Sequence, residues 1–140
     1  MGRVIHLNNP GRERSGLIRL LKIAVISFAE DLSMEDRQDL AAYIVLSLAA
    51  ISRTMEQTVQ AWEKRGYWLK ADRFRQEWQW ADDFEKKLAV ALIGNDWESV
   101  LSLVEQVSRK LEEVELPKRP SKERPWEGAY QIFLTSHRPK

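Results

Sequence analysis

Apolar residues recur at three- and four-residue spacing along most of this chain, and polar or glycine breaks divide them into successive helical runs. In the first run, Leu17, Ile18, Leu21, Ala24, Val25 and Phe28 share one helical face, while Leu20, Ile23 and Ile26 point away from it. A helix over about 12–31 is therefore apolar on two sides, which suits a central position or a subunit contact. Ser33 with Asp36 three residues later is a near capping box, and Glu35 and Asp36 suit the positive end of a helix dipole. The second helix runs over 34–65 on a stripe of Leu40, Ile44, Leu48, Ile51, Met55, Val59 and Trp62, and Gly66 ends it. At 1.5 Å per residue it reaches roughly 50 Å, far more than a compact domain of this size needs, so it either kinks near Ser52-Arg53-Thr54 or overhangs its neighbours.

Ala71, Phe74, Trp78, Ala81, Leu88 and Leu92 form the stripe of a third helix over 68–93. Asp82–Lys86 and Asp83–Lys87 are four-residue ion pairs on its outer surface, whereas Glu85 projects onto the stripe. Gly94 stops this helix and Asn95-Asp96-Trp97-Glu98 starts a fourth over 96–116, so the two fold back as an antiparallel hairpin. Trp97, Val100, Leu101, Val104, Val107, Leu111 and Val114 line the fourth, and Pro117 closes it. The expected fold is all-α: an up-down helical bundle of four helices over 12–116, preceded by an irregular N-terminal arm over 1–11. No internal repeat of solenoid period is present.

The tail changes character. From Leu116 to Pro125 the chain holds three prolines and four basic residues, which reads as an extended linker. Trp126, Tyr130 and Phe133 then form an apolar cluster too short for a domain. It either packs back on the bundle as a strap or serves as a tethered motif for another protein. Residues 117–140 are thus expected to form an extended C-terminal tail made of a basic, proline-rich linker and this short apolar motif.

Composition sharpens this picture. The chain of 140 residues is 44% hydrophobic and 31% charged, ordinary for one water-soluble helical domain. It holds no cysteine, which excludes disulfides and thiolate chemistry. The net charge of +1 hides a division: residues 1–22 carry five basic groups against one acid, and residues 117–140 carry six against two. The remaining eleven basic groups face eighteen acids between them, so basic ends flank an acidic body. The start lacks a secretory signal, and the most apolar run, Leu17 to Ala29, is broken by Arg19 and Lys22 and too short to span a bilayer. A cytosolic protein with no membrane partner is expected.

Little catalytic chemistry is visible. His6 and His137 are the two histidines, one near each terminus, which disfavours a histidine base or metal site. No Glu-x-x-His pair, phosphate-binding glycine loop or nucleophile elbow occurs. Asp82, Asp83 and Glu85 could meet Glu30 or Asp31 in space, the one route to a carboxylate-based activity. No catalytic residue, metal, cofactor or small-molecule substrate is assigned, and a non-enzymatic protein is expected.

Binding is the alternative, and the stretch from Ala61 to Trp80 is its focus. It holds six of the thirteen aromatic residues, and five Lys and Arg against three acids. Trp62, Phe74 and Trp78 lie on core stripes, leaving Trp68 and Trp80 as the rings expected at the surface. With Tyr67, Arg65, Lys70 and Arg73 they form a candidate partner site, joined by Trp126, Tyr130 and Phe133 of the tail. Aromatic rings among cations also suit single-stranded RNA or DNA, although no recognised nucleic-acid motif accompanies them. A homodimer is a third expectation. Leu40 to Ser52 is free of charge, and Ala42, Leu46 and Ala49 on its far side, with Leu20 and Ile23 of the first helix, could pack on a second copy.

Overall fold

The structure, a computed structural model, describes residues 9–116 and 124–137. Five helices make it up: α1 Pro10–Phe28, α2 Met34–Lys64, α3 Trp68–Ile93, α4 Trp97–Lys110 and α5 Ala129–Ser136. Among the described residues there is no strand. The all-α expectation holds, but the count of four helices does not, because the tail forms α5. The N-terminal arm falls outside the described residues apart from 9–11, and so does the linker over 117–123.

Local chemistry sets the helix ends. α1 begins at Pro10, earlier than the spacing of apolar residues implied, because Asn9 is an N-cap whose side chain accepts from Arg12 N at 3.0 Å. Proline at the first helical position costs nothing there, since its missing N–H would have no helical partner. Ser33 caps α2 by accepting from Asp36 N at 3.1 Å. At the other end Gly66 takes φ of 83°, with Tyr67 N donating to Trp62 O and Gly66 N to Glu63 O. These two bonds make a Schellman closure, and the left-handed φ favours glycine.

The α3–α4 turn repeats this pattern one residue later than expected. Gly94 has an ordinary φ of −82°, and Asn95 supplies the left-handed residue at φ 53°. Asp96 then caps α4, accepting from Ser99 N at 3.2 Å and from Ser99 Oγ at 2.6 Å. α4 is shorter than the expected 96–116. After Lys110 the chain turns, and Lys22 Nζ donates to the carbonyls of Val114 at 2.6 Å and Glu112 at 3.3 Å. A lysine from α1 thus satisfies acceptors left open where the helix stops.

α2 is the central element. It runs unbroken for 31 residues, about 46 Å at 1.5 Å per residue, and packs on α1, α3 and α5, while α4 packs on α3 and α1. Leu40, Ile44, Leu48 and Ile51 of α2 are fully buried, meeting Leu21, Leu88, Leu92, Val100 and Phe133. A second, smaller cluster of Met55, Val59 and Ala71 with Trp62, Phe74 and Trp78 fills the far end of the α2–α3 pair. α2 is continuous helix through Ser52-Arg53-Thr54, and α3 accompanies it to its far end.

This arrangement changes the role of α1. It lies beside α2 rather than at the centre, with Leu20 and Ile26 exposed and Ile23 half-buried. Ala42, offered for a dimer face, is fully buried in the core, and Leu46 and Ala49 are half-buried. The charge-free stretch of α2 is explained by contacts within one chain. No described helix is long and apolar enough to cross a membrane.

Candidate interaction surface at the α2–α3 turn

The far end of the α2–α3 pair is stiffened by aromatic rings and ion pairs. Trp62 meets Phe74 edge-on at 5.1 Å between centroids, Phe74 leans on Trp78 at 6.2 Å, and Trp78 stacks on Trp80 at 6.0 Å. Lys70 Nζ sits 4.7 Å over the Trp62 ring. Across the pair, Arg75 reaches Glu56 at 3.4 Å and Glu63 at 3.8 Å.

Arg14 locks α1 onto this ladder. Its guanidinium lies over the rings of Phe74 at 4.7 Å and Trp78 at 5.3 Å. The same group donates to Thr54 Oγ1 at 3.2 Å and Thr58 Oγ1 at 3.4 Å. Thr54 in turn donates to Ile51 O, so its hydroxyl is used in both directions. Burial among these groups lowers the Arg14 pKa, partly countered by Glu77. Cation–ring contacts gain strength when partly desolvated. Reading the sequence did not single out Arg14, and nothing local marks it, because its partners lie at least forty residues away.

Beyond this support the chain turns and exposes its apolar side chains. Tyr67 is 53% exposed, and Trp68 and Leu69 are each 65% exposed. Lys64, Arg65, Lys70 and Arg73 surround them, all exposed and none within salt-bridge distance of a carboxylate among the described residues. α3 starts there without a side-chain cap and with no acid in its first turn. The turn is thus a projecting tip: three apolar groups ringed by cations on a rigid base.

The other expected site residues are placed differently. Trp80 is half-buried, stacked on Trp78 and packed against the main core, because α3 is covered by both α2 and α4. Trp126 and Phe133 are buried and Tyr130 is half-buried, so these tail residues are part of the fold rather than an open motif. Trp126 meets Tyr43 edge-on at 6.5 Å, and its buried Nε1 has no hydrogen-bond partner among the described residues. The strap is held by Asp39, whose carboxylate accepts from Gly128 N at 3.1 Å and Tyr130 N at 3.0 Å. Arg124 adds an ion pair to Asp36 at 3.2 Å.

Asp82 and Asp83 of α3 are engaged locally, Asp83 accepting from Gln79 at 3.4 Å. Asp82 accepts from Lys86 at 2.8 Å and from Gln79 at 3.3 Å. No group of three metal-ligating side chains comes together among the described residues. A groove of about 560 Å³ runs between α3 and α4, floored by Val90, Ala91 and Leu103. Its one carboxylate, Asp96, is committed to capping α4. Comparison with family models, curated proteins and solved structures finds no match to this chain.

Proposed function

We propose that the protein is a non-enzymatic interaction subunit of a larger, oligomeric assembly, and that the tip of the α2–α3 pair is its contact surface. The observation that carries this is the exposure of Trp68 and Leu69 on a base held in place by Arg14, Arg75 and the ring ladder. Large apolar groups held out in water cost free energy that only a partner recovers, roughly 1.5–3 kcal/mol per fully buried side chain. Tryptophan and arginine are also the residues that most often dominate interface energies. The test is proximity labelling or cross-linking with wild-type protein and a Trp68→Ala/Leu69→Ser variant. A partner held by wild type and lost by the variant supports the reading, and an identical partner set refutes it.

A second reading has its own observation in favour. Four cations with no carboxylate partner among the described residues stand beside Tyr67 and Trp68, and the segments outside the described residues add six Lys and Arg against one acid. That combination suits single-stranded nucleic acid, with bases stacking on rings and phosphates meeting cations. A salt titration of binding to labelled single-stranded RNA and DNA decides it. Steep loss of affinity with salt, weakened in an Arg65→Ala/Lys70→Ala/Arg73→Ala variant, supports this alternative. No binding at low salt removes it.

A further inference from the structure

The two ends of the molecule carry opposite charge. α2, about 46 Å long, has the α1–α2 turn at one end and the α2–α3 turn at the other, and α3, packed back along α2, carries the α3–α4 turn toward the first of these. The tip bears Lys64, Arg65, Lys70 and Arg73 around its apolar side chains. At the opposite end Glu30, Asp31, Glu35 and Glu98 are exposed, with no salt bridge to any of them among the described residues. The same turns carry two exposed apolar side chains, Met34 at 53% and Ile93 at 51%. Asp36 at that end is already paired with Arg124.

Each end therefore combines exposed apolar groups with an excess of one sign of charge, the exposed Asp72 at the tip and the half-buried Arg37 at the other end being in the minority. Tip against tip would oppose cations, and acidic end against acidic end would oppose carboxylates, so neither end complements itself. Tip against acidic end brings opposite charges together around two apolar centres. We infer that the tip receives the acidic end of a second copy of this chain in a head-to-tail contact. This rests on the reading of the tip as a contact surface and names its occupant. A head-to-tail contact leaves one tip and one acidic end unused on every pair. End-on contacts cannot close a pair, so the assembly grows into open rows or closes as a ring of three or more copies. The contact area is limited to the ends of helices, so association is weak and depends on protein concentration and salt.

Sedimentation or light scattering on the full chain tests this, from tens to hundreds of micromolar. At low salt the average mass rises past the dimer. At ~0.5 M salt, where screening acts within a few ångströms, it falls back to the monomer. Two charge reversals refine the test: Lys64→Glu/Arg65→Glu/Arg73→Glu at the tip, and Glu30→Lys/Asp31→Lys/Glu35→Lys at the acidic end. Each variant alone stays monomeric, while an equal mixture associates again, because each reversed end now fits the other. Circular dichroism confirms that both remain helical, and the salt response of wild type gives a reading that needs no variant. A wild type that is monomeric at every concentration overturns the inference. So does a mass that stops at the dimer, a reversal that associates like wild type, or a mixture that stays monomeric. If wild type is monomeric but Trp68→Ala/Leu69→Ser still loses an external partner, the second copy is wrong and the contact surface stands. If it is monomeric and loses nothing, both fall.

Discussion

Asp39→Ala tests the idea that α5 is a strap held by a cap borrowed from α2. Eight residues are too few to hold a helix in water unaided, and α5 begins after Gly128 with no side-chain cap of its own. Asp39 fills that place by accepting from Gly128 N and Tyr130 N, while Trp126, Ala129 and Phe133 bury the apolar side of the segment. Removing the carboxylate frees two backbone donors that lie near enough to water to be resolvated. The cost is therefore that of a lost cap, about 1–1.5 kcal/mol, rather than that of an orphaned buried group. The Arg124–Asp36 pair is partly exposed and offsets little of this. About 1.4 kcal/mol is a tenfold change in an equilibrium, so local opening of α5 should rise roughly tenfold. Amide hydrogen exchange reads this directly. Protection over residues 130–136 drops while that of the core amides from Ile44 to Ile51 stays unchanged, and Asp39→Asn recovers part of the loss. Less than about a twofold change in α5 refutes the cap, and a parallel loss across α2 refutes the strap as a separately opening unit.

Three further outcomes follow from the same geometry. Arg14→Ala should cost about 1–2 kcal/mol in urea unfolding, and Arg14→Lys should restore less than half of it, because an ammonium cannot span two rings and two hydroxyls; full restoration would contradict the stacking account. Trp68→Ala should change stability by no more than ~0.5 kcal/mol, and a larger loss would mean that the ring is packed rather than exposed. Asp96 has its pKa lowered by the Ser99 hydroxyl and then by the Ser99 amide. A depressed folded pKa gives stability that is present above the ordinary carboxylate pKa and is lost as pH falls through the lower folded value. Asp96→Asn keeps an acceptor for the cap and should flatten that part of the acid limb, and an unchanged limb would rule Asp96 out as a contributor.

What the chain determined by itself is its local order. Ser33, Gly66 and Asp96 set helix ends through groups within a few residues of one another, and the stripes of α2 and α3 follow from helical spacing. Such signals are legible because their energetics need no distant partner. The exposed tip was legible too, since Tyr67, Arg65, Lys70 and Trp68 sit at a turn that glycine announces. Only the tertiary structure decided the rest. Trp80 is covered because α3 has neighbours on two sides, which a single-stripe projection cannot register. α5 exists because Asp39, some ninety residues earlier, meets its amides, and a segment that short has no helical stability of its own. Arg14 became the pin of the far end because three helices converge on it. The same convergence decided which apolar faces were spent inside the chain, Ala42 and Phe133 among them, and which charges were left at opposite ends.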